Sequence, residues 1–131
     1  MSQDNADVVR RATDYFNETG EPGPMELHDP GVTFTTRGDL GSKETYTGHQ
    51  GLVKGTASFR EVWAGINAHI TELTEGDDIV VAVFTFDLRS QAGVDLEIEE
   101  AWAYWFRNGK IHRIEQHPTR RQALEAAGLL E

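Results

Sequence analysis

Apolar and polar residues alternate from Val94 to Phe106, which is the pattern of a β-strand. One face of this strand carries six apolar or aromatic residues: Val94, Leu96, Ile98, Trp102, Tyr104 and Phe106. The same row also contains one carboxylate, Glu100. An Asn108–Gly109 pair follows, and it is a strong hairpin signal because both residues of a type I′ turn have positive φ. The pattern therefore predicts two long paired strands that end near Pro118.

Helical periodicity occurs at three other places in the chain. Apolar residues recur at helical spacing in Asn5–Thr19 and in His49–Ile66, which predicts two early helices. A third helix is predicted at Arg120–Ala127. Thr119 and Gln122 have the spacing of a capping box at its start.

The remaining segments predict a short strand at Val32–Arg37, a polar loop at Gly38–Thr47, and two strands at Asn67–Thr74 and Asp78–Arg89. Helices early in the chain and strands late in the chain are typical of an α+β fold. We expect one curved antiparallel sheet that buries its apolar face against the two N-terminal helices. At 131 residues, the chain is expected to form a single domain over 1–131.

The composition of the chain argues against several classes of function. The chain has 22 acidic and 12 basic residues, with a net charge of −10. This balance argues against nucleic acid and anionic membranes as partners, because both require basic surfaces. The chain has no cysteine, and its longest apolar run, Ile79–Phe84, is far too short to span a membrane. Its N-terminus lacks the pattern of a signal peptide, so we expect a cytoplasmic protein.

Four segments carry a family resemblance: GVTFTTRGDL, YTGHQGLVK, WFRNGKIHRIEQH and RRQALEAAGL. In this order, the chain resembles the SnoaL-like branch of the nuclear-transport-factor-two-like superfamily, from about residue 5 to residue 130. The resemblance implies an α+β cone with an interior pocket between the sheet and the helices, and a homodimer. It does not imply one chemistry, because a fold can carry many functions.

The resemblance also allows known catalytic positions to be compared. An ungapped match places Ala12, Thr36 and Trp102 where ketosteroid isomerases carry their catalytic tyrosine and carboxyl groups. Gln116 stands where polyketide cyclases use a carboxylate, and an amide cannot act as a base. The residue sets of the family's dehydratases and epoxide hydrolases are not recognisable either. We therefore do not expect these particular mechanisms.

Glu100 is the first candidate for chemistry, because a carboxylate in an apolar row is either paired or functional. We expect it to face the pocket as an acid or base, with His112 or Tyr15 within reach. The alternatives are a structural ion pair for Glu100, an ordinary cross-strand hydrogen bond for His112, and a core position for Tyr15.

The other candidates are ligand-binding residues. Arg37 and Asp39 are expected to orient an acidic or hydroxylated ligand, or to pair with each other. Pocket walls or plain core positions are expected for five aromatic residues: Phe34, Phe59, Trp63, Trp102 and Tyr104. Gln116 is expected to be a polar partner. The five histidines lack metal-binding spacing, and no nucleotide-binding motif is present, so we expect no metal and no cofactor.

Together these observations predict a pocket protein for a small, largely apolar organic molecule. The sequence leaves open whether it catalyses a cofactor-free isomerisation, cyclisation or dehydration, or acts as a non-catalytic binding or dimeric association module. Ala101, Ala103 and Trp105 lie on the outer face of the same strand. An exposed apolar area there would favour a homodimer through the outer face of the sheet.

Overall fold

The computed structural model describes residues 4–37 and 43–130. It contains three helices and six strands, and a 3-10 turn at Met25–Leu27 precedes the first strand. In chain order these are α1 (Asn5–Thr19), β1 (His28–Thr35), β2 (Thr45–Thr47), α2 (Gly48–Val62), β3 (Trp63–Gly76), β4 (Ile79–Ser90), β5 (Asp95–Arg107), β6 (Lys110–His117) and α3 (Arg120–Ala127).

The strands form one curved, unclosed sheet with the order β2-β1-β6-β5-β4-β3. All neighbouring pairs are antiparallel except β1 and β6, which run parallel. The α+β class predicted from the order of elements is confirmed. The parallel pair arises because β1, which lies between α1 and α2 in the chain, joins the sheet beside the last strand.

The predicted hairpin between β5 and β6 is present. Asn108 and Gly109 have φ values of 54° and 77°, as both turn residues of a type I′ turn require. The paired strands place Trp102 opposite Gln116 and Tyr104 opposite Ile114.

The two early helices pack on the concave face of the sheet. Val8, Val9 and Ala12 of α1 and Leu52 of α2 share one buried apolar cluster with the concave residues of the strands. Gly20 caps the C-terminus of α1, and its φ of 79° is the left-handed conformation that is common at this position. This arrangement encloses the space between the helices and the sheet.

The convex face differs from the sequence-based expectation. Ala101 and Ala103 are fully buried, because α3 packs over them with Ala123 and Leu124. Trp105 is half-buried beside this cluster. The apolar surface expected to mediate a dimer is therefore covered by the chain's own C-terminal helix, and that argument for a dimer interface was wrong.

Two element boundaries also differ from the expectation. Helix α2 ends at Val62, four residues before the predicted Ile66, and β3 begins at Trp63. Pairing of Trp63 with Ser90 extends the sheet, and this tertiary pairing prevails over the helical spacing of the apolar residues. Strand β2 lies within the predicted polar loop and pairs with β1. Across residues 4–37 and 43–130, no helix has the length and apolar character needed to cross a membrane.

Candidate functional site

A cavity of about 590 Å³ lies between the concave face and the two early helices. Its size falls within the range of small-molecule sites. Most of its walls are apolar or aromatic, and they include the predicted wall residues Phe34, Phe59, Trp63, Trp102 and Tyr104. The cone is therefore not filled by its own side chains.

Trp102 is the centre of the aromatic wall. Its ring lies 5.5 Å from that of Phe34 in a stacked arrangement and 5.6 Å from that of Phe84 at an edge-on angle. Phe59 on α2 lies 6.5 Å away. Aromatic rings in such stacked and edge-on orientations pack favourably against one another, and together they form one wall of the cavity.

Glu100 faces this cavity, as the alternation of β5 predicts. Its side chain is only 5% exposed. Its neighbour Glu99 is exposed, because adjacent strand residues lie on opposite faces. A carboxylate is thus held inside a cavity with largely apolar walls.

Among the described residues, three donors contact the Glu100 carboxylate. The Arg37 Nη1 lies 2.6 Å from Oε2, while Trp102 Nε1 and Gln116 Nε2 lie 3.0 Å and 2.8 Å from Oε1. A carboxylate offers about four acceptor positions. These contacts occupy both positions of Oε1 and one of Oε2, so one acceptor position of Oε2 is not used by any residue in 4–37 or 43–130.

The strand register explains how these donors meet. Trp102 is two residues from Glu100 on the same face of β5, and Gln116 lies opposite Trp102 on β6. Arg37 follows the end of β1, which is paired with β6. The Gln116 Oε1 also accepts a hydrogen bond from the Arg37 backbone N–H at 3.2 Å. Gln116 therefore links the Arg37 backbone to the Glu100 carboxylate.

The structure does not bring His112 to Glu100, so that expectation was wrong. A bulge lies in β6 where Trp105 pairs with Arg113 and the next residue, Phe106, pairs with Ile111. His112 is the extra residue of this bulge, near the Asn108–Gly109 turn. Because a bulge shifts the facing of the strand, His112 does not share the face of Gln116. Burial lowers the His112 pKa, and the positive charge of Arg107 adds to this effect.

Tyr15 was also wrongly expected near Glu100. Tyr15 lies half-buried on α1, whereas the next residue, Phe16, lines the cavity. Consecutive side chains point roughly 100° apart around a helix axis, so the Tyr15 and Phe16 rings point in different directions. Asp39, the expected partner of Arg37, lies outside the described residues.

Sequence reasoning missed His28, which lines the cavity and is 2% exposed. Its Nε2 lies 3.2 Å from the Pro22 carbonyl, which only accepts, so Nε2 carries the proton and Nδ1 is an acceptor. Burial lowers the His28 pKa to about 4. The surrounding Pro- and Gly-rich segment has no periodicity that would have indicated a buried position.

Tyr46 and Glu44 are a second pair that the sequence did not indicate. Both line the cavity, and the Tyr46 hydroxyl donates to Glu44 Oε2 at 2.7 Å. This hydrogen bond raises the Tyr46 pKa. They place a polar, solvent-accessible contact at the edge of the sheet, where β2 pairs with β1.

His49 makes a structural contact. Its Nε2 lies 3.0 Å from the His28 carbonyl and ties the start of α2 to β1. Within the part of the chain that the structure describes, no group of three or more histidine or acidic side chains is arranged to hold a metal ion.

The chain is similar to one protein family and to several solved structures. The model of the family described as "SnoaL-like domain" matches residues 9–114. No curated protein matches the chain. Among solved structures, TerC, co-crystallised with polyporic acid, is 22% identical, with a TM-score of 0.77 and coverage of 92% of this chain and 95% of TerC.

Two further structures show the same fold. A protein of unknown function from Burkholderia pseudomallei, described as NTF2-like, is 20% identical, with a TM-score of 0.77, and the match covers 92% of this chain and 95% of that one. A Catenulispora acidiphila protein with a ketosteroid isomerase-like fold, in complex with trimethylamine, is 15% identical. Its TM-score is 0.73, and the match covers 94% of this chain and 93% of that one. At these identities the likeness shows the fold alone.

Proposed function

Because this chain belongs to the SnoaL-like domain family, we propose that its cavity binds a small, flat, largely apolar organic molecule with a hydroxyl or enol group directed at Glu100. One observation carries the proposal. Glu100 is a carboxylate with one acceptor position left unused by the described part of the chain, inside a cavity whose other walls are mainly apolar. A ligand hydroxyl donates a hydrogen bond to that position, and the flat, apolar part of the ligand stacks on the Trp102 ring.

The reaction class that best fits this geometry is cofactor-free proton transfer, as in an isomerisation, cyclisation or dehydration. Glu100 would take a proton from the ligand through its remaining acceptor position on Oε2. Arg37 and Gln116 would hold the carboxylate in place and stabilise negative charge that develops on a ligand oxygen nearby. In this mechanism Glu100 is the catalytic residue, and Arg37 and Gln116 position it.

The Arg37–Glu100 ion pair favours a second candidate function, which is non-catalytic binding. A carboxylate that already accepts from three donors resembles a structural ion pair, whose main effect is to orient the groups around it. In this case Glu100 recognises the ligand hydroxyl and no bond of the ligand changes.

Polyporic acid provides a first probe, since it was co-crystallised with a protein of this fold. Its affinity is measured by isothermal titration calorimetry, and its conversion by mass spectrometry after incubation with the protein. Small molecules that copurify with the protein are extracted and tested in the same way. Binding to the wild type with one molecule per cavity supports the proposal, whereas the absence of binding by the probe and by all extracted molecules would contradict it.

Glu100→Gln separates the two candidate functions, and Glu99→Gln is its matched control. Both variants remove one carboxylate from adjacent positions of β5, but Glu99 is on the exposed, convex face. A catalytic Glu100 predicts that Glu100→Gln still binds the molecule but no longer converts it, while Glu99→Gln behaves as the wild type. A binding role predicts weaker binding by Glu100→Gln and no conversion by any of the three proteins.

The homodimer and the cytoplasmic location expected from the sequence stay predictions. The family resemblance still supports a dimer, although the covered surface around Ala101 and Ala103 no longer does. Multi-angle light scattering at micromolar concentration tests the dimer, and a mass of one chain would contradict it.

A further inference from the structure

Three polar side chains on the cavity wall have unused hydrogen-bonding groups. Tyr104 and Thr56 are buried and line the cavity, yet neither hydroxyl makes a hydrogen bond with any described residue. His28 Nδ1 is the buried side-chain atom without a partner among residues 4–37 and 43–130. Buried polar atoms in proteins are nearly always bonded, so the unpartnered His28 Nδ1 requires an explanation, and the two unbonded hydroxyls line the same cavity.

Thr56 is unusual among the helical hydroxyl residues of this chain. Thr13 donates to the Val9 carbonyl at 2.9 Å, and Thr19 donates to the Tyr15 carbonyl at 2.7 Å. Such bonds to the preceding turn are the ordinary way for a helical threonine to satisfy its hydroxyl. Thr56 makes no such bond, which leaves its hydroxyl available to the cavity.

The sheet register places these groups toward one end of the cavity, which we name the turn end because it lies nearest the Asn108–Gly109 turn. Tyr104 pairs with Ile114, which pairs with Phe34 on β1. Gly55 packs against the Phe34 ring, which brings α2 close to this row, and the next residue, Thr56, lines the same cavity. His28 pairs with Ile111, close to the turn.

We infer that the turn end is a second polar subsite, in which Tyr104, Thr56 and His28 bind a neutral hydroxyl group of the ligand. A hydroxyl fits better than a carbonyl because it both donates and accepts, whereas His28 Nδ1 only accepts. A charged group does not fit, because the described residues place no opposite charge there. This inference rests on the proposed function and adds to it the chemistry of the ligand's second end.

The distance between the two polar sites limits the ligand further. Glu100 and Tyr104 are four residues apart on one face of β5, which separates their Cα atoms by roughly 13 Å. Their side chains both reach into the cavity and shorten this span. The ligand is therefore a flat molecule of about two fused rings or more, with a hydroxyl or enol group at each end.

Two naphthalene derivatives test the inference directly. 2-Naphthol has one hydroxyl group, and 2,6-dihydroxynaphthalene has one at each end of the same ring system. Their dissociation constants are measured by calorimetry with the wild type, with the double variant Tyr104→Phe/Thr56→Val, with Glu100→Gln, and with the control Tyr15→Phe, whose ring lies outside the cavity. Both substitutions in the double variant remove a hydroxyl while nearly preserving side-chain shape, and binding of 2-naphthol reports that the cavity remains folded.

We expect the diol to bind the wild type and Tyr15→Phe about tenfold more tightly than 2-naphthol, which corresponds to one well-formed buried hydrogen bond. This preference should disappear in the double variant and persist in Glu100→Gln. Equal binding of the two compounds by the wild type, or a preference that survives in the double variant, would overturn the subsite and leave the proposed function standing. Failure of both compounds to bind the wild type would count against the proposed function and the subsite together.

Discussion

From Glu100 to Phe106 both faces of β5 are covered, but they are covered in different ways. On the convex face, Ala101 and Ala103 pack closely against the small residues of α3. On the concave face, Trp102 and Tyr104 face α1 and α2 across a cavity of about 590 Å³. Small side chains allow a helix to approach the sheet, whereas the large aromatic side chains hold the early helices away and leave a space between them.

The difference shows that burial alone does not separate a core from a site. The buried cluster on the convex face is entirely apolar. By contrast, the four buried polar or charged side chains among the described residues all line the cavity: His28, Thr56, Glu100 and Gln116. A buried polar group lowers the stability of the fold unless it is bonded. The positions of such groups therefore indicate where function or specificity, and not stability, determines the residue.

Removing the cation of the cavity should have the largest effect. Arg37→Met leaves the Glu100 carboxylate with two neutral donors, Trp102 and Gln116, from the described residues. Breaking a buried ion pair in this way costs about 3–5 kcal/mol of unfolding free energy. Urea denaturation measures the loss. Adding Glu100→Gln should recover part of it, because the uncompensated charge is then absent.

Arg89→Met is the control for that experiment. Arg89 pairs with Asp95 on exposed surface, where an ion pair contributes about 0–1 kcal/mol. A similar loss of stability in Arg37→Met and Arg89→Met would contradict the distinction between the cavity pair and the surface pair.

Leu124→Ala tests the convex face. Leu124 is buried between α3 and the sheet, and its truncation should destabilise the fold by about 2–5 kcal/mol. The affinity of 2,6-dihydroxynaphthalene, measured where the variant is folded, should stay within twofold of the wild type. A loss of binding without loss of stability would show that α3 affects the cavity and that the two faces are not independent.

His28 should make the concave face sensitive to pH. Its pKa is about 4 in the folded protein and near 6.5 when unfolded, so the unfolded chain binds more protons between these values. Stability from this group is complete above pH 6.5, falls as the pH drops, and reaches its lowest value below pH 4. Its contribution should fall by about 2 kcal/mol between pH 7 and pH 5.

The His28 effect is measured as the difference in unfolding free energy between the wild type and His28→Asn across this pH range. The variant lacks the titrating group, so its stability should fall less steeply. Parallel curves for the two proteins would contradict a buried, neutral His28.

Arg113→Met should give the smallest effect. The Arg113 guanidinium carbon lies 4.2 Å from the centre of the Trp105 ring on the convex face. An exposed cation–π contact of this kind contributes about 0.5–1 kcal/mol. The expected change is therefore a small shift in the urea midpoint, with Trp105→Phe in the same background showing whether the ring is responsible. A loss much larger than this in Arg113→Met, with no dependence on the ring, would assign the effect to other Arg113 contacts.

The sequence by itself determined features whose signals are local. The period-two alternation of β5 placed Glu100, Trp102 and Tyr104 on one face, and this parity holds in the structure. The Asn108–Gly109 pair specified the turn, and Thr119 caps α3 by accepting from the Gln122 N–H at 3.2 Å. Such signals are readable because they depend on residues only a few positions apart.

Only the tertiary structure decided which groups meet. The bulge in β6 moved His112 away from the cavity, and the pairing of β1 with β6 brought Arg37 to Glu100 instead. The packing of α3 covered the outer face, and the chain after α1 buried His28. These outcomes depend on strand register, on one extra residue in a strand and on contacts between residues far apart in the chain. Alternation along a single strand contains no information about any of them, since it reports the facing of a side chain but not its partner.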